Sequence, residues 1–435
     1  MKATWKIAAI FAVFVILVFN ACDDGDDGGK GTKTDAVRPS ITVEPVGGAY
    51  LPGTTVTPLS VTASVSDGGT LSYQWYSRAS SFAAGTAIGG AINENFTPTV
   101  STPGTVYYYV EVTNTNNSVD GTQTAVQSSR NAKIVTGWEA VDVLDIELVT
   151  VNGNSYMFSP NSIIFANNLF VAVGGFAASP GQIGWSDDGL KWKLIENTTF
   201  GNSIINSIAY GNGKFIAVGE DGKMASSTDG KTWTSIDVST IFGTSNINDI
   251  AYGNSRFFAV GDDSKTAYLT DSDSTWTSAS ATPASLRRIV YGANTFMAYG
   301  THPSVANGVN CSFGNSSTSW SVVGNINNFY IWNLISTGTY LVEVGANGNV
   351  WKSNPVGGFV YDIKPSSIMG TDAIMKAAYG SGKLLVFSTN KGAWSGDDGA
   401  TWTEVPHVDM SRMVYGAGRF VAVAGGSGIY YADYQ

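Results

Sequence analysis

The chain has 435 residues, 43% of them apolar and 13% charged, with a formal charge of −10. That length allows two or three domains with real cores, and the acidic balance argues against nucleic acid as a partner. Gly, Thr, Ser, Asn and aromatic residues are abundant, which favours short strands and tight turns over helices.

Lys2 and Lys6 flank the start of an apolar run from Ile7 to Phe19, followed by Asn20-Ala21-Cys22. A basic start, a short apolar core and a small residue form an export signal, too short for a comfortable membrane span. It resembles a bacterial lipoprotein signal, although Phe19 and Asn20 depart from the tightest form of that motif. The resemblance implies cleavage after residue 21 and a lipid on Cys22, with an uncleaved anchor or plain secretion as the other readings. Residues 22–38 are acidic and glycine-rich, with no apolar side chain before Ala36. They are expected to form a flexible tether, because they cannot bury enough surface to offset ordering. The expected location is therefore the bacterial cell envelope, on a membrane and a side left open, with the lipid as membrane contact. Cys311 is the other cysteine. With Cys22 carrying lipid no internal disulfide is available, and Cys311 is expected to be a buried small apolar residue.

Residues 39–136 alternate in the manner of half-buried strands, in "SITVEPV", "LSVTASVS", "LSYQWYS" and "TVYYYVEVTN". Trp75 is the natural core filler, and Val106, Tyr108, Val110 and Val112 form the side expected to face inward. The segment resembles a bacterial immunoglobulin-like domain, carried by Trp75 and the tyrosine-rich late strand but without the cysteine pair of antibody domains. The resemblance implies a β-sandwich that spaces or presents another domain.

Residues 137–435 contain a repeat: "SIIFANNLFVAVGG", "SIAYGNGKFIAVGE", "DIAYGNSRFFAVGD", "RIVYGANTFMAYGT", "NLISTGTYLVEVGA", "KAAYGSGKLLVFST" and "RMVYGAGRFVAVAG". Phe170, Phe215, Phe257, Phe296, Tyr340, Leu384 and Phe420 are the shared apolar anchors, at a mean spacing of about forty residues, the length of a four-stranded propeller blade. Seven repeats predict seven blades. The seventh stops after its third strand, while Trp138 to Asp145 matches Trp233 to Thr240. A strand from Trp138 to about Leu148 is therefore expected beside Ile429 to Ala432, since an open ring would leave bare sheet edges.

A second motif recurs between the third and fourth strands of the repeats. It reads Ser186, Asp188, Gly189 and Trp192 in the first, and Ser227, Asp229, Gly230 and Trp233 in the second. In its last copy, in repeat six, it reads Asp398, Gly399 and Trp402. These copies resemble the Asp-box (BNR) turn of sialidase-type propellers. Their chemistry points to a structural turn: a side-chain oxygen accepts backbone N–H bonds, glycine takes a left-handed conformation, and tryptophan covers apolar surface.

In a propeller these turns lie on one face, and a ligand site is expected on the opposite face around the channel. Stacking candidates there are Phe329, Tyr330, Trp332 and Tyr361. Polar candidates are Asp262, Asp263, Arg287, Arg288, His302, Asp372 and His407, and packing or solvated loops is the competing reading for each. Similarity to sialidases implies an arginine triad, a tyrosine nucleophile with a glutamate, and an acidic acid/base residue. Of Arg256, Arg287, Arg288, Arg412 and Arg419, the first and last sit at the starts of second strands, near the other face. His302 and His407 form no metal-spaced cluster, so no catalytic residue, metal or obligate cofactor is assigned. The expectation is an all-β, monomeric, lipid-anchored binding or scaffold protein that presents the propeller to a glycan or protein. A divergent sialidase-like glycoside hydrolase is the alternative, and an envelope assembly factor a further one.

Overall fold

The computed structural model describes residues 33–435 apart from 143–144, 148–149, 152–153, 156–157, 177–179, 196–198, 280–284, 303–304, 315–320, 325–330, 355–357, 364, 425–427 and 434–435. The described fold is all-β, with two four-residue helices, Ser239–Phe242 and Ser366–Met369. None of its helices is long and apolar enough to cross a membrane. The signal and Cys22 lie outside the described residues.

Within 39–136, the strand Gly104–Thr115 pairs antiparallel with Thr70–Arg78, Thr124–Ser128 and Ala132–Thr136. Its alternation buries Tyr108, Val110 and Val112 against Trp75, Leu59, Val61 and Ile134. The Trp75 indole donates to Asn93 O at 2.9 Å, so its one polar atom is satisfied inside the core. Val106, placed inward by the alternation, is instead 36% exposed near the strand's start.

Repeats two to six each fold into a separate four-stranded antiparallel sheet, so five such blades stand where the repeat count predicts seven. The other two repeats enter larger sheets. Repeat one gains Ile146–Glu147, which pairs in parallel with Trp192–Ile195 to make a five-stranded sheet. In repeat seven, Arg412–Gly416, Arg419–Ala424 and Gly428–Asp433 join a ten-stranded sheet that continues into the N-terminal β unit. The expected closing strand is short: Glu139–Ala140 pairs with Tyr431 and Tyr430, and the chain then leaves to cover the edge of repeat one.

The innermost strands of all seven repeats pack in a closed cycle, Pro160–Ala166 touching Ile205–Gly211 on one side and Arg412–Gly416 on the other. Two sequence features explain that packing. In every repeat but the fifth an aromatic near the end of the inner strand pairs with the apolar anchor across the hairpin, with ring centroids 4.6 Å apart for Tyr210 and Phe215 and 4.8 Å for Tyr252 and Phe257. In five of these repeats the next residue is a glycine, which leaves room for the next repeat. A Cβ on Gly211 would lie 2.1 Å from Tyr252 Cγ, one on Gly253 2.0 Å from Tyr291 Cγ, and one on Gly416 2.1 Å from Phe165 Cγ. The last of these contacts joins repeat seven to repeat one.

The N-terminal β unit is tied to this ring. Gly48–Tyr50 runs parallel to Ala132–Thr136 and bridges the final strand at Tyr50 and Asp433. Leu51 is buried with Leu385, Phe387 and Phe420, and the Trp394 indole donates to Pro52 O at 3.2 Å. Arg419 and Asp433, 3.0 Å apart, pair at the same seam.

Candidate binding site

The inner strands carry a β-bulge in each of the first five repeats, immediately before a polar residue. A bulge bends the strand and re-aims the side chain that follows. By pairing register, the seven equivalent positions are Ser162, Ser207, Asp249, Arg288, Asn333, Lys376 and Arg412. They sit at the starts of the inner strands, away from the hairpin turns. Asp249, Arg288, Asn333, Lys376 and Arg412 line a central cavity of about 190 Å³, together with apolar side chains that include Ile163, Val290, Met410 and Met413.

Asp249 is the hub of this cavity. It is 1% exposed, pairs with Arg412 Nη2 at 2.8 Å across the channel, and accepts from the Ile289 N–H at 3.0 Å and from the Ser207 hydroxyl. Burial pushes its carboxyl above the ordinary range, against the pull of Arg288 and these bonds. Lys376 is held below the usual amine range by burial and by Arg288, while Asp409 pulls the other way. Tyr299, whose hydroxyl donates to Trp332 O at 2.7 Å, is pushed up to about 12 chiefly by burial. The bulge residues themselves stitch neighbouring repeats together: Asn206 donates to Ile247 O at 3.0 Å and Asn248 to Leu286 O at 2.9 Å.

Of the residues singled out in the sequence, Arg288 enters the cavity wall, Arg287 is exposed beside it, and Trp332 is 45% exposed at the bulge before Asn333. Several others have partners within the fold. Asp262 accepts from Asn248 at 2.9 Å and Asn246 at 3.2 Å, and Asp263 from Ser245 at 2.6 Å, which ties the loop entering repeat three to its own second turn. Ser203 and Asp221 repeat the Asp263 contact in repeat two. Asp372 is drawn to Lys391, 3.4 Å away, and is no part of the cavity. His407 is half-buried, with Nδ1 enclosed.

His302 and Tyr361 lie on the strands Thr295–His302 and Gly358–Asp362, their side chains outside the described residues, as is that of Cys311 on Val305–Gly314. The stretch around His302 thus forms a long hairpin and not the expected loop. Phe329 and Tyr330 lie outside the described residues.

The Asp-box turns form on the other face. Ser186 Oγ accepts from the Gly189 N–H at 2.8 Å and donates to Asp188, which accepts from the Leu190 and Lys191 N–H groups, while the Trp192 indole donates to Gly189 O. Ser227, Asp229, Gly230 and Trp233 repeat this pattern. In repeat six the box aspartate is Asp397, bonded to Ser395 and the Thr401 N–H. Asp398 is corrected to the extra residue of a longer turn, at φ 58° and bonded to Tyr340 and Lys352.

Asp249, Asn333, Lys376 and Arg412 do not stand out in the sequence, because the repeats declare themselves through their apolar pattern. The signal was the one inner-strand column that stays polar while changing identity in nearly every repeat.

A family model described as the DUF6242 beta propeller domain matches residues 143–286. No curated protein sequence matches the chain. Among solved structures, one described as YCF48 bound to D1 peptide is 15% identical, with a TM-score of 0.54 over 69% of this chain and 98% of its own. YCF48 from Cyanidioschyzon merolae is 14% identical, with a TM-score of 0.52 over 68% of this chain and 99% of its own. At these identities the likeness establishes a β-propeller fold.

Proposed function

We propose that the protein is a non-catalytic binding module of the bacterial cell envelope, anchored through a lipid on Cys22, and that the channel face of its propeller takes the partner. The observation that carries this reading is the convergence of Arg288, Lys376 and Arg412 on one cavity whose carboxylate, Asp249, is already engaged by Arg412, Ser207 and a backbone N–H. A carboxylate so committed is poorly placed to shuttle protons, whereas glycoside hydrolysis uses two carboxyl groups flanking a bond. This favours binding over the hydrolase alternative.

One fold relative is peptide-bound, which favours a protein partner over a glycan. The closed cycle of inner strands supports counting the sheets of repeats one and seven as further blades of a seven-bladed ring. Residues 39–136 are read as an immunoglobulin-like unit, a reading supported by the buried Trp75 and the tyrosine-rich strand packed on it. Its seam with the last strand favours a rigid stand for the propeller over a loose spacer.

The test combines chemistry with location. The full exported protein is expected to show no turnover of fluorogenic sialosides or other glycosides. Wild type is expected to take up a fatty-acid label and fractionate with membranes, and Cys22→Ser to do neither. Turnover lost on changing Asp249 to Asn would overturn the binding reading. Unlabelled wild-type protein would overturn the anchor.

A further inference from the structure

We infer that the channel cavity takes a carboxylate carried on a short apolar body, either a small free acid or the end of a polypeptide chain. The inference rests on the reading of the channel face as the binding face. Three cationic side chains and one carboxylate line the cavity, and that carboxylate is bound to Arg412 at 2.8 Å. Asp249 also draws on Arg288, and Asp409 on Lys376, yet the three cations outnumber these two carboxylates, and Arg288 lies close enough to disfavour the charged form of Lys376. An entering anion relieves that repulsion and the desolvation of both groups. A guanidinium beside an ammonium suits a carboxylate, whose two oxygens accept a fork of N–H bonds and a point charge together.

The rest of the lining defines the body of that acid. Ile163, Val290, Met410 and Met413 form apolar wall, while Asn333 and Ser336 are the uncharged polar side chains of the lining. A sugar acid would set several hydroxyls against aliphatic surface, where a buried polar group without a partner is disfavoured. At about 190 Å³ the space is also below the roughly 300–1,000 Å³ of sites for drug-sized ligands. One aliphatic residue or a small acid fits that description, and an oligosaccharide does not.

Calorimetric titration of the full mature protein tests this with five probes: a tripeptide ending in leucine as its free acid, the same peptide as its amide, isovalerate, glucuronate and inorganic phosphate. The peptide acid and isovalerate are expected to bind saturably, and the amide about ten-fold or more weaker than the acid, the loss expected for a charge-assisted contact. Arg288→Gln and Lys376→Gln should each weaken the acids while melting like wild type, and the comparison of acid with amide needs no variant at all. A peptide acid much tighter than isovalerate identifies a chain end, and comparable affinities identify a free acid. Equal binding of acid and amide, tighter binding of glucuronate or phosphate than of isovalerate, or no binding of any probe overturns the inference. In each of those cases crosslinking from the channel rim still reports separately whether that face engages a partner.

Discussion

At the scale of residues, burial raises two acids, Asp249 and Glu343. Asp249 is held by a cation, a hydroxyl and a backbone N–H, so its charge has compensation within bonding distance. Glu343, 1% exposed in the second strand of repeat five, is pushed up to about 8 by burial. A carboxyl whose folded value exceeds its unfolded one stabilises the fold fully only below the unfolded value, and that contribution is lost as pH rises through the folded value. The window here runs from 4.5 to about 8, and each pH unit across it removes at most about 1.4 kcal/mol. Urea denaturation should therefore show wild type losing stability between pH 5 and 8, and Glu343→Gln losing markedly less; parallel curves would contradict the assignment. Neither acid stood out in the sequence, where both read as polar interruptions of apolar strands. Conversely Asp262 and Asp263 read as ligands because "GDDSK" is acidic and looks exposed, whereas their partners Asn246, Asn248 and Ser245 lie about sixteen residues upstream, across a turn that no local pattern reveals.

At the scale of elements, the hairpins were legible and the reasons for their glycines only half so. In "YGNG" the second glycine, Gly213, takes the left-handed turn at φ 72° with Asn212 beside it at 45°, as a two-residue hairpin of the primed type requires. Gly211 has no positive φ and serves space, lying against the ring of Tyr252 from the next repeat. Sequence periodicity finds the first job because it is local; the second depends on a neighbour about forty residues away. Gly253→Ala, which places a methyl against Tyr291, should cost about 1–3 kcal/mol in chemical denaturation, the range for overpacking. Combined with Tyr291→Ala the cost should be non-additive, as for side chains in contact; additive costs would remove the packing explanation. The Asp-box was legible as a turn. Its aspartate in repeat six lies one residue before the expected one, because "SGDDG" holds an inserted position that only the bonds of Ser395 and Thr401 distinguish.

At the scale of the molecule, the all-β propeller and its forty-residue repeat were written plainly in the apolar anchors. The merging of repeat seven with the N-terminal β unit was not, since Gly48–Tyr50 is three residues long and its partners lie far along the chain. The channel was legible as the place for a site, but of its polar lining only Arg288 was, since the cavity takes one residue from each of several repeats and forms only when the inner strands close into a cycle. The same closure sets the two faces apart, Asp-box turns on one and the polar ring towards the other. Photo-crosslinking in intact cells compares them directly, with a photoreactive residue replacing either Trp332, exposed beside the cavity, or Asp187, exposed in an Asp-box turn. A binding channel predicts a discrete crosslinked partner from position 332, reduced by Lys376→Gln, and none from position 187. Crosslinks from 187 alone, or equal yields from both that ignore Lys376, would contradict it.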